Sequence, residues 1–308
     1  MSRSSHIELG ALLGQSIVEV PVERVNGGVS RGEADWIAVE EPLEIRLGYE
    51  DATGRTTRPI SVTMRTPGHD VELAVGFLFT EGIIHDFGDV EGIRHTGPTG
   101  GKKNNRNVVT VTLKPGVAFD AGRLERHFYT TSSCGVCGKT SLDALAMVAR
   151  PSLPEDRPML TAEVIHRLPQ TLLEAQAAFE RTGGLHAAAL LDAEGRLVCT
   201  REDVGRHNAL DKLIGAQLLE GRLPLHDHIA LVSGRASFEL GQKALMAEIP
   251  VLAAVGAPSS LAVELAQRFE MTLLGFVRDG RFNVYSGANR VRDLTFSNGH
   301  HVRAKHPL

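Results

Sequence analysis

The chain has 308 residues, 42% of them hydrophobic, and a formal net charge of −4. That length can bury a proper core without covalent staples and suggests two domains, and the slight acidity argues against a general nucleic-acid coat. Three cysteines are too few, and odd in number, for a secreted disulfide framework, so a reducing cytoplasmic setting is expected.

The first twenty residues are broken by Glu8, Gly10, Gly14 and Gln15 and do not read as a signal peptide. No apolar run approaches the ~18 residues of a membrane span. Strands are expected at Ile37–Val39, Leu43–Leu47 and Pro59–Met64, where apolar residues alternate or cluster between turn signals. A helix follows, with Asp70 as its N-cap, Val71, Leu73, Ala74, Phe77 and Leu78 at helical spacing, and Gly82 as its stop. Residues 97–107 read as a polar loop, and the β-branched run 108–113 as a strand.

Thr130–Thr140 holds Ser, Thr, Gly and Cys and almost nothing to bury, which predicts a mobile surface loop. A helix capped by Ser141 and a linker at 150–158 come next. The expected division is an α+β domain over 20–128, a cysteine loop, helix and linker over 129–158, and a second domain over 159–292.

From there the pattern is regular. A helix is expected from Thr161 to Thr182, bent near Pro169. A hairpin follows (Ala187–Leu191 and Arg196–Cys199), then a helix from Gly205 to Leu219. Strands at 228–233, 250–256 and 272–277 alternate with helices at 236–249 and 259–270, and a short strand closes at 282–286. Such alternation predicts a mostly parallel sheet covered on both faces. The fold class is therefore α/β: a smaller α+β N-terminal domain and a three-layer α/β/α C-terminal domain whose element order is, by analogy, cytidine-deaminase-like.

Two cysteines stand two residues apart in "TTSSCGVCGKTS": Cys134 and Cys137. This spacing allows half of a zinc site, a dithiol switch, or a carrier of sulfane sulfur. A zinc deaminase lacks its motif: the one His-x-Glu is His6-Ile7-Glu8, far from the cysteines. A carrier needs an accessible thiolate on a loop that can swing; Gly135 and Gly138 supply freedom, and Lys139 favours the thiolate. Cys199 ends a strand and reads as packing. His186 likewise reads as a core histidine.

Three strand-to-helix turns are rich in Gly, Ser and Arg. One leads through Gly205 into Arg206 and His207. Another holds Ser233, Gly234, Arg235 and Ser237. The third is residues 256–260. Helix N-termini bind anions, and ligands of open parallel sheets sit beyond the carboxyl ends of the strands. The three turns together point to one crevice for a phosphorylated ligand. Arg278 and Arg281 flank an Asp-Gly turn and can fork onto phosphate oxygens.

The ordered set "SSCGVCG", "GLHAAAL", "EDVGRHNALDKLIG", "APSSLAVELA" and "GFVRDGRFNVYS", with "MRTPGHDVELAVGFLFTEGII" nearer the start, resembles the FdhD (formate dehydrogenase accessory protein) sulfurtransferase family. The resemblance implies a homodimeric persulfide relay. Sulfur would come from a cysteine desulfurase and pass to the molybdenum or tungsten of the bis(molybdopterin guanine dinucleotide) cofactor that activates formate dehydrogenase. It implies Cys134 as the carrier, Cys137 as its helper, and a cofactor-binding stretch over Phe276, Val277, Arg278, Asp279, Gly280 and Arg281. The competing expectation is a non-catalytic pterin-cofactor-binding chaperone with a redox or zinc CxxC lid.

Overall fold

Alternating and branched apolar runs build the sheets, and helical stripes cover them. The computed structural model describes residues 16–52, 54–96, 107–117 and 152–293. A ribbon opens the fold, β1 (Ile17–Asn26) paired antiparallel with β2 (Val29–Ala38). The strands β3 (Glu41–Asp51), β4 (Gly54–Arg65), β5 (Val90–Thr96) and β6 (Val108–Leu113) form a second sheet in the order β4-β3-β6-β5. Helix α1 (Asp70–Thr80) joins its two halves. The expected N-cap is displaced by one residue: His69 caps with φ 60°, and Asp70 is the first helical residue. The Asp70 carboxylate is engaged elsewhere, accepting Nε and Nη2 of Arg65 at 2.9 Å each.

The second half gives β7 (Leu160–Thr161), α2 (Ala162–Glu174), α3 (Ala177–Thr182), β8 (His186–Leu191), β9 (Leu197–Asp203) and α4 (Arg206–Leu219). Then come β10 (Ile229–Val232), α5 (Phe238–Met246), β11 (Val251–Ala254), α6 (Ser260–Arg268), β12 (Thr272–Arg278), β13 (Arg281–Ser286) and β14 (Val291–Arg292). The helix expected over 161–182 is two helices. Pro169 sits inside α2, and the break falls at Ala175 and Gln176.

Six strands form the main sheet in the order β13-β12-β11-β10-β8-β9. It is not mostly parallel. Only β10·β11 and β11·β12 are parallel pairs; β8·β10, β8·β9 and β12·β13 are antiparallel. Two hairpins, β8–β9 and β12–β13, flank the parallel strands and supply the antiparallel pairs. One face, with Ala188, Ala230, Leu252 and Leu273, packs under α4, α5 and α6. The other, with Ala189, Leu231, Ala253 and Leu274, packs on Ile165, Leu168 and Leu172 of α2.

The four-stranded sheet is not separate from this core. Helix α1 lies across α4 with the backbones almost touching: a Cβ on Gly76 would fall 1.9 Å from the Asp211 carbonyl oxygen, and one on Gly215 would fall 1.9 Å from that of Glu72. Only glycine allows this crossing. A single apolar cluster therefore runs from Leu43, Ile45 and Val111 through Leu73 and Leu78 to Leu213 and Leu252. Buried charge pairs reinforce the seam. Lys212 Nζ lies 2.7 Å from Asp203, Lys243 Nζ 2.9 Å from Asp211, and Arg201 Nη2 donates to Glu72 at 2.8 Å. Such pairs hold only because each charge has its partner. Among the described residues no helix is long and apolar enough to cross a membrane.

Candidate functional site

Strands β10, β11 and β12 run the same way and end side by side. The chain beyond them stays in register. Gly256 N–H donates to the Gly234 carbonyl at 2.9 Å, and Phe276 N–H donates to that of Gly256 at 3.0 Å. Because β8 is antiparallel to β10, its first residue, His186, lies at this same end. Helix α4 starts there too. A cavity of about 390 Å³ results, floored by Ser233, Gly234, Val255 and Gly256 and walled by His186, Arg206, Arg235 and Arg278.

Each wall residue is placed by its own element. Arg206 opens α4, whose start is fixed by the fully buried Asp203. That carboxylate accepts the Gly205 N–H at 2.8 Å, Asn208 Nδ2 at 3.1 Å and the Thr66 N–H at 3.2 Å. Arg206 Nε is buried and has no hydrogen-bond partner among the described residues. A buried, unpaired guanidinium nitrogen is costly unless an anion meets it. Ser233 Oγ accepts the Ala187 N–H at 2.9 Å, so its own O–H remains available as a donor.

Arg278 reaches the cavity through an irregularity in β12. The pairing with β13 slips between Gly275 and Arg278, as a β-bulge does when it re-aims a side chain. Phe276 takes the left-handed φ of 52° there, a cost on the order of 1–2 kcal/mol for a bulky residue. Its ring lies 5.7 Å below the Arg278 guanidinium. The turn that follows has φ 53° at Asp279 and 68° at Gly280. Two successive positive values suit a two-residue hairpin turn, which favours Asp-Gly.

The electrostatics agree with an anion site. Burial and the neighbouring Arg206 hold His186 below the ordinary histidine range, and Asp203 only partly offsets them. Burial, then Arg206 and Lys243, push His207 down to about 4. Both rings are therefore neutral near pH 7.

Of the residues expected from sequence, Arg206, Ser233, Arg235 and Arg278 meet at the cavity. Phe276 supports Arg278 from beneath. Gly205 serves as the N-cap of α4, and His207 turns to Ser237, with Nε2 at 3.3 Å from its Oγ. The Val277 side chain is fully buried in the α2-facing core and does not line the cavity. Asp279, Gly280 and Arg281 form the turn beside the cavity and do not line it. Cys134 and Cys137 lie outside the described residues. Cys199 is half-buried on β9, where Arg201 Nη1 donates to its Sγ at 3.3 Å and burial pushes the thiol up.

His186 is the wall residue that the sequence reading placed in the core. A lone histidine opening an apolar strand looks like packing. The signal that it is not is positional: it follows Gly183-Gly184 and begins a strand running against β10, which puts it where the parallel strands end.

The class defined by this fold and cavity is an α/β protein with an arginine-walled cavity at the carboxyl ends of its parallel strands. Residues 38–292 match the model of the FdhD/NarQ family. The chain is 51% identical over 272 residues to the sulfur carrier protein FdhD of Streptomyces avermitilis, covering 88% of this chain and 94% of that one. It is 50% identical over 271 residues to the protein of the same name from Mycolicibacterium paratuberculosis, covering 88% and 97%. A crystal structure of a candidate formate dehydrogenase accessory protein from Desulfotalea psychrophila superposes with a TM-score of 0.66 at 24% identity, over 89% of this chain and 99% of that one. This last likeness concerns the fold. The chain belongs to the FdhD/NarQ family.

Proposed function

We propose that this protein is a sulfur carrier that serves formate dehydrogenase by persulfide relay. Cys134 is the carrier. Its thiolate attacks the outer sulfur of a cysteine desulfurase persulfide; a new S–S bond forms on Cys134, and the donor cysteine leaves as a thiolate. The exchange is redox-neutral and needs only that donor and acceptor be held in line. Cys137 assists the relay. The acceptor is the metal of a bis(guanine dinucleotide) pterin cofactor, whose pyrophosphates seat in the cavity against Arg206, Arg235 and Arg278. The protein works in the cytoplasm as a homodimer, with an α+β unit followed by a cytidine-deaminase-like unit.

What supports the relay is the 51% identity to a protein named as a sulfur carrier over most of both chains. What supports the cofactor's seat is the arginine-walled cavity with its unpaired Arg206 Nε. The test is mass spectrometry after incubation with a cysteine desulfurase and cysteine. Wild type gains about one sulfur mass on Cys134, and Cys134→Ser gains none there. Equal loading of the variant refutes the carrier role. Stoichiometric zinc without an adduct replaces it with the non-catalytic lid.

A further inference from the structure

We propose that His186 is a ligand contact of the cavity, the group that takes up a proton when a pyrophosphate diester seats among Arg206, Arg235 and Arg278. This rests on the cavity being the guanine-dinucleotide site.

The argument is geometric first. His186 is the only wall residue of the cavity, among those described, that can change its charge near neutral pH; the other cations of the wall are arginines. Its ring lies against the turn after β10: a Cβ on Gly234 would be 3.5 Å from both its Cε1 and Nδ1. The charged and titratable groups that face it come from every neighbouring element. Arg206 approaches from α4, Arg235 from the turn after β10 and Arg278 from β12. Asp203, its cross-strand partner on β9, is the one carboxylate in this set. It is already committed to Lys212 at 2.7 Å and to the start of α4. His207 adds a second imidazole at the next position of α4, turned away toward Ser237 and Glu239.

In the open cavity, then, His186 sits in a net positive field and inside the protein, so its charged form is disfavoured. A pyrophosphate diester carries two negative charges that do not titrate near neutrality. Placed among the arginines, it reverses the field at His186 and raises its proton affinity. Linkage gives the sign: protonated His186 binds the anion more tightly, so affinity rises as pH falls through the ordinary histidine range. The gain levels off once the open cavity also protonates. Arginine alone accepts any anion at any pH. A neutral histidine that charges only when two phosphates arrive makes the site favour a pyrophosphate over a monoanion such as chloride.

The experiment is calorimetry on the full chain with the β-methyl ester of GDP, a probe whose pyrophosphate is a diester. Titrations in two buffers of different ionisation enthalpy read proton uptake directly. Wild type is expected to take up a fraction of a proton and to bind about three- to tenfold more tightly at about pH 5.5 than at about pH 7.5. H186Q, which keeps a hydrogen-bond donor, is expected to lose the gain in affinity on acidification and to take up no proton. H207Q retains both. Wild-type binding without proton uptake overturns the inference, as does an H186Q variant that keeps its pH dependence. If wild type binds no ester at any pH, the cavity reading itself fails, which is a separate result.

Discussion

Replacing Gly215 with alanine tests the crossing that joins the two halves. The added methyl would sit 1.9 Å from the Glu72 carbonyl oxygen and 2.9 Å from the Gly76 nitrogen. Both are backbone atoms, so no side chain can swing aside. To reach ordinary contact the helices must part by about 1.5 Å. Overpacking of this kind costs about 3 kcal/mol at the upper end of its usual range. Separation also stretches the seam's ion pairs, since Glu72 itself holds Arg201. Alanine's better helix propensity returns about 1 kcal/mol. The net loss is about 2 kcal/mol, a fall in Tm of about 3 °C for a protein of this size. Thermal unfolding followed by calorimetry reads it. Gly92→Ala is the control, because no atom lies within 4 Å of its added Cβ, and its Tm should stay within a degree or so of wild type. A Gly215→Ala protein as stable as wild type refutes the close-contact reasoning.

Arg206→Gln should weaken GDP binding about 10- to 100-fold, the worth of one charge-assisted hydrogen bond; an unchanged Kd by calorimetry removes Arg206 from the site. Lys243→Met should destabilise by about 3–5 kcal/mol, because it strands the buried Asp211 carboxylate, and Asp211→Asn added to it should recover part of that loss in urea melts. Burial pushes Glu72 up, but hydrogen bonds from Arg201 and His69 outweigh it and hold the carboxyl below its ordinary value. Its stabilising effect is therefore present above the ordinary carboxylate range and lost as pH falls through it. Tm measured from about pH 6 to about pH 3 should fall less steeply for Glu72→Gln than for wild type, and parallel curves would refute the assignment.

Residues whose local chemistry agreed with their environment were legible in the sequence. The run 108–113 is β-branched and became β6 as expected. The glycine- and serine-rich turns at 233–237 and 256–260 follow parallel strands, and their convergence was readable from chain order alone. The ribbon does alternate Val18, Val20 and Val22 with polar residues in β1, but Pro21 interrupts the run and Val25 and Val29 are 65% and 60% exposed, so little buried surface marks it as a strand pair. Strand β5 hides similarly behind Glu91, Gly92, Arg94 and His95. The single helix expected over 161–182 is instead interrupted at Ala175 and Gln176, beyond Pro169, which lies inside α2. His186 was missed for a different reason. Its environment depends on β8 entering the sheet against β10, a long-range pairing that no local pattern encodes.

The β1–β2 ribbon has its own small footing, Ile17 against Ala178 and Leu185, apart from the two larger clusters. It also lies almost wholly ahead of residue 38, where the family match begins. A segment tethered by so few buried contacts opens at a fraction of the free energy that global unfolding requires. Amide hydrogens of residues 18–37 will accordingly exchange with solvent deuterium long before those of α4, and a protease that nicks this hairpin will shorten the polypeptide while leaving the arginine-walled chamber standing.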